Sequence, residues 1–319
     1  MKPSSFIACR RTAGPRQQLG VALIYAMLML AVCTGLIFPR LAQQSVSIAQ
    51  TANLADMAQA AALADGLDAW VGAVLVEDRR LTSVDHAGEP WSSTVIMPIE
   101  RAALSGQLVD LRGRINLNAM IDESGQEAVL HTARFRRLLS VLDLPSSLAD
   151  AVLDWIDRDD VPRLPHGVES AHYVLRTPAY RAANQPFTSV SELRLVAGVT
   201  PALFRTLRPH VSALDKRAGI NVNTATEAVL MSLAEGLDRG AVRLFMKGRQ
   251  SKPVRGLADL AEWTLFASPG LETQDLSGVS DWFSLKATIA LPRATLEHRA
   301  VFRRSDAGTR RLRVWSGDE

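Results

Sequence analysis

Val21 to Phe38 reads VALIYAMLMLAVCTGLIF, eighteen residues without a charge. At about 1.5 Å rise per residue a helix over this run is roughly 27 Å long, close to the ~30 Å hydrocarbon core of a bilayer. It is long enough to cross a membrane once. Residues 1–20 carry Lys2, Arg10, Arg11 and Arg16 and no acid, and the first acid of the chain is Asp56. By the positive-inside rule the N-terminus is expected in the cytoplasm and everything after Arg40 outside it.

A secretory signal peptide offers a shorter apolar run, about 7–15 residues, followed by a small-x-small cleavage site. Here the run leads into Pro39-Arg40 with no such site. In front of it stand Gln18-Leu19-Gly20 and then Val21. A short basic leader ending in Gly directly before an apolar helix resembles the type III signal of prepilins and pseudopilins, which implies cutting after Gly20 and methylation of Val21. An uncleaved signal anchor is the other reading of the same residues.

With 319 residues, 47% of them hydrophobic and 22% charged, the chain has ample material for one or two cores. Its formal charge of +3 includes the four leader cations, so the chain from Val21 onward carries −1. The basic balance therefore reports membrane topology and gives no support to a nucleic-acid partner. Cys9 lies in the leader and Cys33 in the apolar run, which leaves the exported body without disulfides or thiol ligands. There is no GxSxG, P-loop or GxGxxG, and the sequence offers no enzyme site.

From Arg40 to about Arg79 the chain is rich in Ala, Leu and Gln and has no proline. Leu54, Met57, Ala61, Ala64, Leu67, Val71, Val74 and Leu75 recur at helical spacing, so the helix is expected to continue out of the membrane with one buried stripe. Pro39 lacks the amide donor, which predicts a kink where the span meets water. Trp91 to Ile99 can hold a strand, and Leu104 to Leu117 alternates around Gly106 and Gly113, so two short strands are expected. Trp282 to Leu291, Ala294 to Arg304 and Thr309 to Trp315 also alternate, separated by turn residues. Neither group makes a comfortable sheet alone, so they are expected to pair across the intervening chain.

That makes the middle an insertion, and it reads as helical. Gln126 to Leu142 and Ser146 to Ile156 show helical apolar spacing. Ser189-Val190-Ser191-Glu192 and Thr224-Ala225-Thr226-Glu227 match the capping box, and Thr200-Pro201 offers a cap with proline in the first turn. Glu192 to Leu214 and Glu227 to Met246 then read as paired short helices with glycine turns at Gly198 and Gly236. The expected organisation is a basic leader over 1–20, a transmembrane helix over 21–40, a stem helix with the first strands over 41–121, an inserted α-helical domain over 122–279 and closing strands over 280–319.

Gly219-Ile220-Asn221-Val222-Asn223-Thr224-Ala225 and Val196-Ala197-Gly198-Val199 resemble helix-hairpin-helix modules. Together with Arg112-Gly113-Arg114-Ile115-Asn116-Leu117-Asn118, Leu153-Asp154-Trp155-Ile156-Asp157, Tyr180-Arg181-Ala182-Ala183-Asn184 and Ser189 to Arg194, they make the chain resemble the general secretion pathway protein K family, the minor pseudopilins of type II secretion. The likeness spans most of the chain. It implies an α+β, pilin-like fold: a long N-terminal helix packed on an antiparallel sheet, with a large helical domain inserted in that sheet. It also implies a structural role at the tip of a periplasmic pseudopilus, which it would help to initiate and cap for export of folded proteins. The protein would be single-pass in the inner membrane of a Gram-negative bacterium. Its partners would be the I and J type minor pseudopilins, the prepilin peptidase, the inner-membrane assembly platform, and the secretin or exported cargo. The alternatives are a membrane-anchored helix-hairpin-helix DNA-binding protein, with Arg205, Arg208, Arg239, Arg243, Lys247 and Arg249 supplying the cations, and a minor pilin of a type IV pilus.

Tyr25 is the fifth residue after Gly20, where most pilins and pseudopilins carry Glu. A buried carboxylate in lipid needs a neutralising partner. Its absence suits a first or tip subunit, while an ordinary anchor would read Tyr25 as an interfacial aromatic. Asp154, Asp157, Asp159, Asp160 and Glu169 gather five carboxylates within sixteen residues. Oxygen donors on a flexible loop suit Ca²⁺ rather than zinc, and the resemblance implies calcium in the helical domain. The family continues in acids toward the tyrosine, whereas this chain reads Ser170-Ala171-His172-Tyr173. Solvated caps and salt bridges to Arg158 and Arg163 remain the competing reading of these acids.

Overall fold

The computed structural model describes residues 18–316; the leader residues before Gln18, Cys9 among them, lie outside the described residues. Helix α1, Gln18–Leu81, continues across Pro39, and Arg79 and Arg80 meet the negative end of its dipole in the last turn. Residues up to Ala58 form one compact unit and those from Gln59 form a second. In the first unit every large apolar side chain described between Val21 and Phe38 is exposed, and this stretch is the segment among the described residues long and apolar enough to cross a membrane.

The second unit is built around a five-stranded antiparallel sheet. β1 (Val95–Ile99) and β2 (Ala102–Asp110) come before the insertion. The sheet is completed by three strands from the far end of the chain, residues 282–290, 295–305 and 308–316, which follow β2 in that order. Its antiparallel pairing brings Leu104 opposite Ile289, Leu108 opposite Leu285, and Phe283 opposite Phe302. Onto this face pack Ala60, Ala64, Leu67, Val71 and Leu75, each less than a tenth exposed. Full burial of each larger aliphatic side chain contributes about 1.5–3 kcal/mol, and the alanines at 60 and 64 let the helix backbone approach the sheet. The predicted stripe is corrected at its start. Leu54 and Met57 are exposed, and the buried phase runs through Ala60 rather than Ala61.

The insertion follows β2. β3 (Ile115–Asn116) leads into α2 (Val129–Val141), α3 (Leu148–Ile156), α4 (Ser170–Tyr173), α5 (Pro201–Leu207) and β4 (Val211–Ser212). β5 (Ile220–Asn221) then leads into α6 (Glu227–Met231), α7 (Arg239–Gly248), α8 (Leu257–Leu260) and β6 (Leu276–Ser277). The chain returns to the sheet as β7 (Trp282–Ala290), β8 (Thr295–Ser305) and β9 (Gly308–Ser316). The alternation around Gly113 is therefore not a second sheet strand. β2 ends at Asp110, and Ile115-Asn116 pairs in parallel with Val211-Ser212 instead.

The insertion repeats one plan. Ile115-Asn116-Leu117-Asn118 opens the first half and Ile220-Asn221-Val222-Asn223 the second. In both, the first Asn side chain accepts from the backbone N–H of the second, at 3.2 Å for Asn118 and 3.0 Å for Asn223. In both, the second Asn clamps one distant residue at its N–H and its carbonyl. Asn118 holds Phe187 at 2.8 and 3.0 Å, and Asn223 holds Val254 at 2.9 and 2.8 Å. A further donation reaches the chain just past the strand that pairs with the motif, Leu214 in one half and Gly278 in the other. The two halves share one hydrophobic core, with Phe135, Leu153 and Phe204 from the first and Val229, Leu230 and Phe245 from the second.

Two predicted caps change meaning. Ser189 and Glu192 do form the capping box, but on a 3-10 helix, Val190–Leu195, so the first predicted helix pair contains one α-helix only. The N-cap of α6 is Thr226, not Thr224. Gly198 and Gly236 take positive φ, as tight interhelical turns require. The following Thr200 and Asp238 cap α5 and α7 by accepting from Leu203 and Ala241.

The hydroxyl of Thr224 is used elsewhere, because it donates to Asp110 at 2.6 Å. Asp110, buried at the end of β2, also accepts from Ser280 Oγ, Asn221 Nδ2 and the Arg112 amide at 2.5–2.8 Å. Beside it, Arg304 on β8 donates to Asp78 at 2.7 Å and to both oxygens of Asp85 at 2.5 and 2.6 Å. These bonds fasten the end of α1, the sheet and the insertion to one another.

Candidate metal centre

α3 is apolar on nearly every side and ends at Asp157, whose extended backbone turns the chain into the loop 157–186. Trp155 of α3 packs edge-on against Tyr173 at 5.2 Å, which ties the middle of the loop back to the helix. Between these anchors the carboxylates converge. Ligand oxygens of Asp157, Asp159 and Glu169 lie within 4.8 Å of one another. Asp154 and Asp157 are almost inaccessible, at 0% and 2%, and Glu169 is 5% exposed, while Asp159 and Asp160 are on the surface.

Arg163 is the counter-ion present. Its guanidinium reaches Asp157 Oδ2 at 2.8 Å, Asp154 Oδ1 at 3.3 Å and Glu127 at 3.6 Å, and its backbone N–H donates to Asp154 Oδ2 at 3.1 Å. The predicted salt bridge to Arg163 is therefore real, yet it leaves the cluster short of positive charge. Asp157 Oδ1 and both oxygens of Glu169 are buried and accept no hydrogen bond, and Asn184 Oδ1 is in the same state. Burial, reinforced by Asp154 and Asp157, pushes the Glu169 carboxyl up to about 8. Burial likewise raises Asp154 to about 6 and shifts Asp157 upward. Carboxyls so placed either hold protons or wait for a cation.

Asn184 was not among the predicted ligands. It adopts a positive φ of 47°, donates to Asp159 O at 3.0 Å and contacts Asp160 at 3.4 Å. The sequence signal was an Asn in a loop whose local conformation few other residues tolerate. Gly167 is required by space: a Cβ there would collide with the Arg163 backbone and with Asp154 Oδ2.

A second acidic group, Asp78, Asp85 and Glu89, is of similar size, but it is satisfied from within. Arg304 holds the two aspartates, and Glu89 accepts from Thr82, the His86 amide and Trp91 Nε1 at 2.8–3.0 Å. Three of the cations that the nucleic-acid reading groups are engaged within the second half. Arg239 and Arg243 face Glu227, and Arg249 turns inward to donate to Val222 O at 2.6 Å. Val21 and Tyr25 are exposed on α1, and Gly20 is helical in its backbone.

Family models described as type II secretion system (T2SS), protein K match residues 113–216, in the first half of the insertion, and 220–286, which covers the second half and runs into β7. The type II secretion system protein K of Pseudomonas aeruginosa is 37% identical over 250 residues, covering 73% of each chain. That of Aeromonas hydrophila is 30% identical over 306 residues, covering 88% of this chain and 92% of its own. In the crystal structure of the GspK-GspI-GspJ complex from enterotoxigenic Escherichia coli, one chain matches with a TM-score of 0.66 at 24% identity, over 81% of this chain and 96% of that one. This likeness speaks to the fold. The chain belongs to the type II secretion system protein K family.

Proposed function

We propose that this protein is a minor pseudopilin at the tip of the type II secretion pseudopilus. It is anchored by Val21–Phe38 in the inner membrane with its body in the periplasm, and prepilin peptidase cuts after Gly20. The observation that carries the reading is the combination in one chain of the apolar half of α1, a sheet packed on the Ala60–Leu75 stripe, and a large helical insertion between β2 and β7. The insertion supplies bulk that a shaft subunit would have no room for. Tyr25 replaces the buried acid that would otherwise seek the amine of a subunit ahead, which suits a subunit with none ahead of it. Its partners on this reading are the I and J type minor pseudopilins and the inner-membrane assembly platform, with the secretin or exported cargo above.

The loop 157–186 is, on the same reading, a calcium site held by Asp157, Asp159 and Glu169, with Asn184 Oδ1 as a neutral oxygen ligand. Asp154 and Asp160 stand behind them. The orphaned buried oxygens fit a hard divalent cation, which would relieve the mutual repulsion of the carboxylates and fix the loop on α3.

The test of the first proposal is the N-terminal sequence and intact mass of the protein extracted from its own membranes. A chain starting at methylated Val21 that copurifies with the I and J type pseudopilins is expected. A chain still starting at Met1 would overturn processing, and failure to associate with those partners would overturn the tip assignment.

A further inference from the structure

Arg304 and Arg163 both serve buried carboxylates, and they are held differently. Arg304 is 3% exposed, lies 2.5–2.7 Å from Asp78 and both oxygens of Asp85, and donates to the Ser280 carbonyl at 2.7 Å. Arg163, at the acidic loop, makes one contact of that quality, to Asp157 Oδ2 at 2.8 Å. Its Nε faces Asp154 Oδ1 at 3.3 Å, yet these two buried atoms have no hydrogen-bond partner. Its third carboxylate, Glu127, stands at 3.6 Å. The Arg163 side chain is 29% exposed and so keeps a way out to water.

The backbone of Arg163 is anchored apart from its side chain. Its N–H donates to Asp154 Oδ2 at 3.1 Å, and its carbonyl accepts from the Gly167 amide at 2.5 Å. The guanidinium can therefore move while the loop keeps its course past Asp154. Asp157 is where two positive charges would meet. One of its oxygens, Oδ2, is bonded to Arg163, while Oδ1 is buried without a partner, like both oxygens of Glu169. A divalent cation held by Asp157, Asp159 and Glu169 would thus share one carboxylate with a guanidinium. Like charges so close repel strongly where water is scarce, and each makes the carboxylate a weaker partner for the other. Glu127, itself partly exposed, offers the guanidinium a carboxylate outside that set.

We propose that Arg163 is an exchangeable counter-ion of the acidic loop, which steadies Asp154 and Asp157 without a divalent cation and gives way toward Glu127 and water when one binds. The inference rests on the calcium reading of the loop and adds its regulation. Displacing the arginine weakens calcium binding, so the loop follows the calcium concentration around the protein instead of holding its ion permanently.

The experiment titrates CaCl2 into the full chain in detergent micelles, after chelation, and reads binding by isothermal calorimetry. Arg163→Gln removes the charge and keeps the backbone anchors. It should bind calcium roughly tenfold or more tightly than the wild type, while its Tm in chelator falls below that of the wild type. A merely structural arginine would lower that Tm without tightening the ion. Arg163→Lys keeps a charge but not the planar fork; it should show a smaller gain, and it serves as the milder variant if Arg163→Gln melts early. The tightened binding should be lost in the Arg163→Gln, Glu169→Gln double variant, and Arg158→Gln, at an exposed neighbour, should leave Kd nearly unchanged. Binding by the wild type that is unchanged or weaker in Arg163→Gln, or an equal gain in Arg158→Gln, would overturn the inference and leave the calcium reading standing. Binding by Arg163→Gln alone would support the inference while overturning the calcium reading for the wild type. No binding by either protein, or binding that survives in the double variant, would overturn both.

Discussion

The two halves of the insertion start from the same four-residue motif and spend their polar groups differently. In the second half the chain passes from α7 to the residue held by Asn223 through residues 249–253, and Arg249 lies back over Phe245 with its guanidinium on Val222 O. In the first half the corresponding passage, from α3 to Phe187, takes residues 157–186 and collects buried carboxylates without enough donors to satisfy them. The scaffold is common to both, so nothing in the motif requires the acids. They belong to the loop, and the difference teaches which polar groups maintain the fold and which await something from outside.

The largest expected effect tests the common scaffold. Asn118→Ala and Asn223→Ala each strip three hydrogen bonds from backbone groups that stay buried. At about 1–3 kcal/mol for each group left without a partner, both should lose about 3–5 kcal/mol in urea unfolding. Equal losses sharpen the equivalence of the halves, whereas a difference of more than about 2 kcal/mol would break it.

Calcium should act on the first half alone. After chelation, Ca²⁺ at about one hundred times its Kd should stabilise the full chain by about 2.7 kcal/mol, read as a rise in Tm. Glu169→Gln should abolish that rise, and Glu227→Gln in the second half should leave it intact. A rise that survives Glu169→Gln would move the ion elsewhere.

A pH series on the chelated chain is the third measurement. The Glu169 carboxyl titrates near 4.5 when unfolded and is raised to about 8 in the fold. Between these values the folded chain keeps a proton that the unfolded chain has released, so this group favours folding below pH 4.5 and that contribution fades as pH rises through 8. Tm of the chelated wild type should fall from pH 5 to 8 more steeply than that of Glu169→Gln, and saturating calcium should remove the difference. A parallel pair of curves would show that Glu169 is not strained by its neighbours.

The smallest effect belongs to the surface of the second half. Glu227 lies 3.6 and 3.4 Å from Arg239 and Arg243, both of which are more than half exposed. Glu227→Gln should change stability by less than about 1 kcal/mol in the same urea assay.

Much of the fold was legible because its signals are local. The charge-free run, the alternation of β7 to β9 and the helical spacing of α2 and α3 each depend on neighbours within one element. The pairing of β2 with β7 followed from the need of two partial sheets to complete each other. What could not be read was long-range. Thr224 fits a capping box until Asp110, more than a hundred residues earlier, takes its hydroxyl. Arg304 reaches Asp85 across 219 residues, and no sequence window contains both. The repeat was available, since Ile-Asn-x-Asn stands at 115 and at 220 and Phe187 and Val254 each follow a proline, but nothing local says that these are the residues the second Asn of each motif reaches. For the candidate site the acids were visible, and the orphaned oxygens and Asn184 were not, because satisfaction is a property of three-dimensional surroundings.

The insertion leaves the sheet after Asp110 and re-enters at Trp282, where the Leu111 amide donates to Trp282 O at 2.9 Å. These two ends therefore meet as closely as the ends of a tight hairpin. Before that contact exists, a flexible chain of this length would have to close a very long loop, and closure entropy grows only logarithmically but is lost before any strand contact repays it. If the insertion folds first, its own core brings Asp110 and Trp282 together and the loop is already closed. The helical module then acts as a folding template, and the sheet that grips α1 forms last, after the part of the chain between its strands is complete.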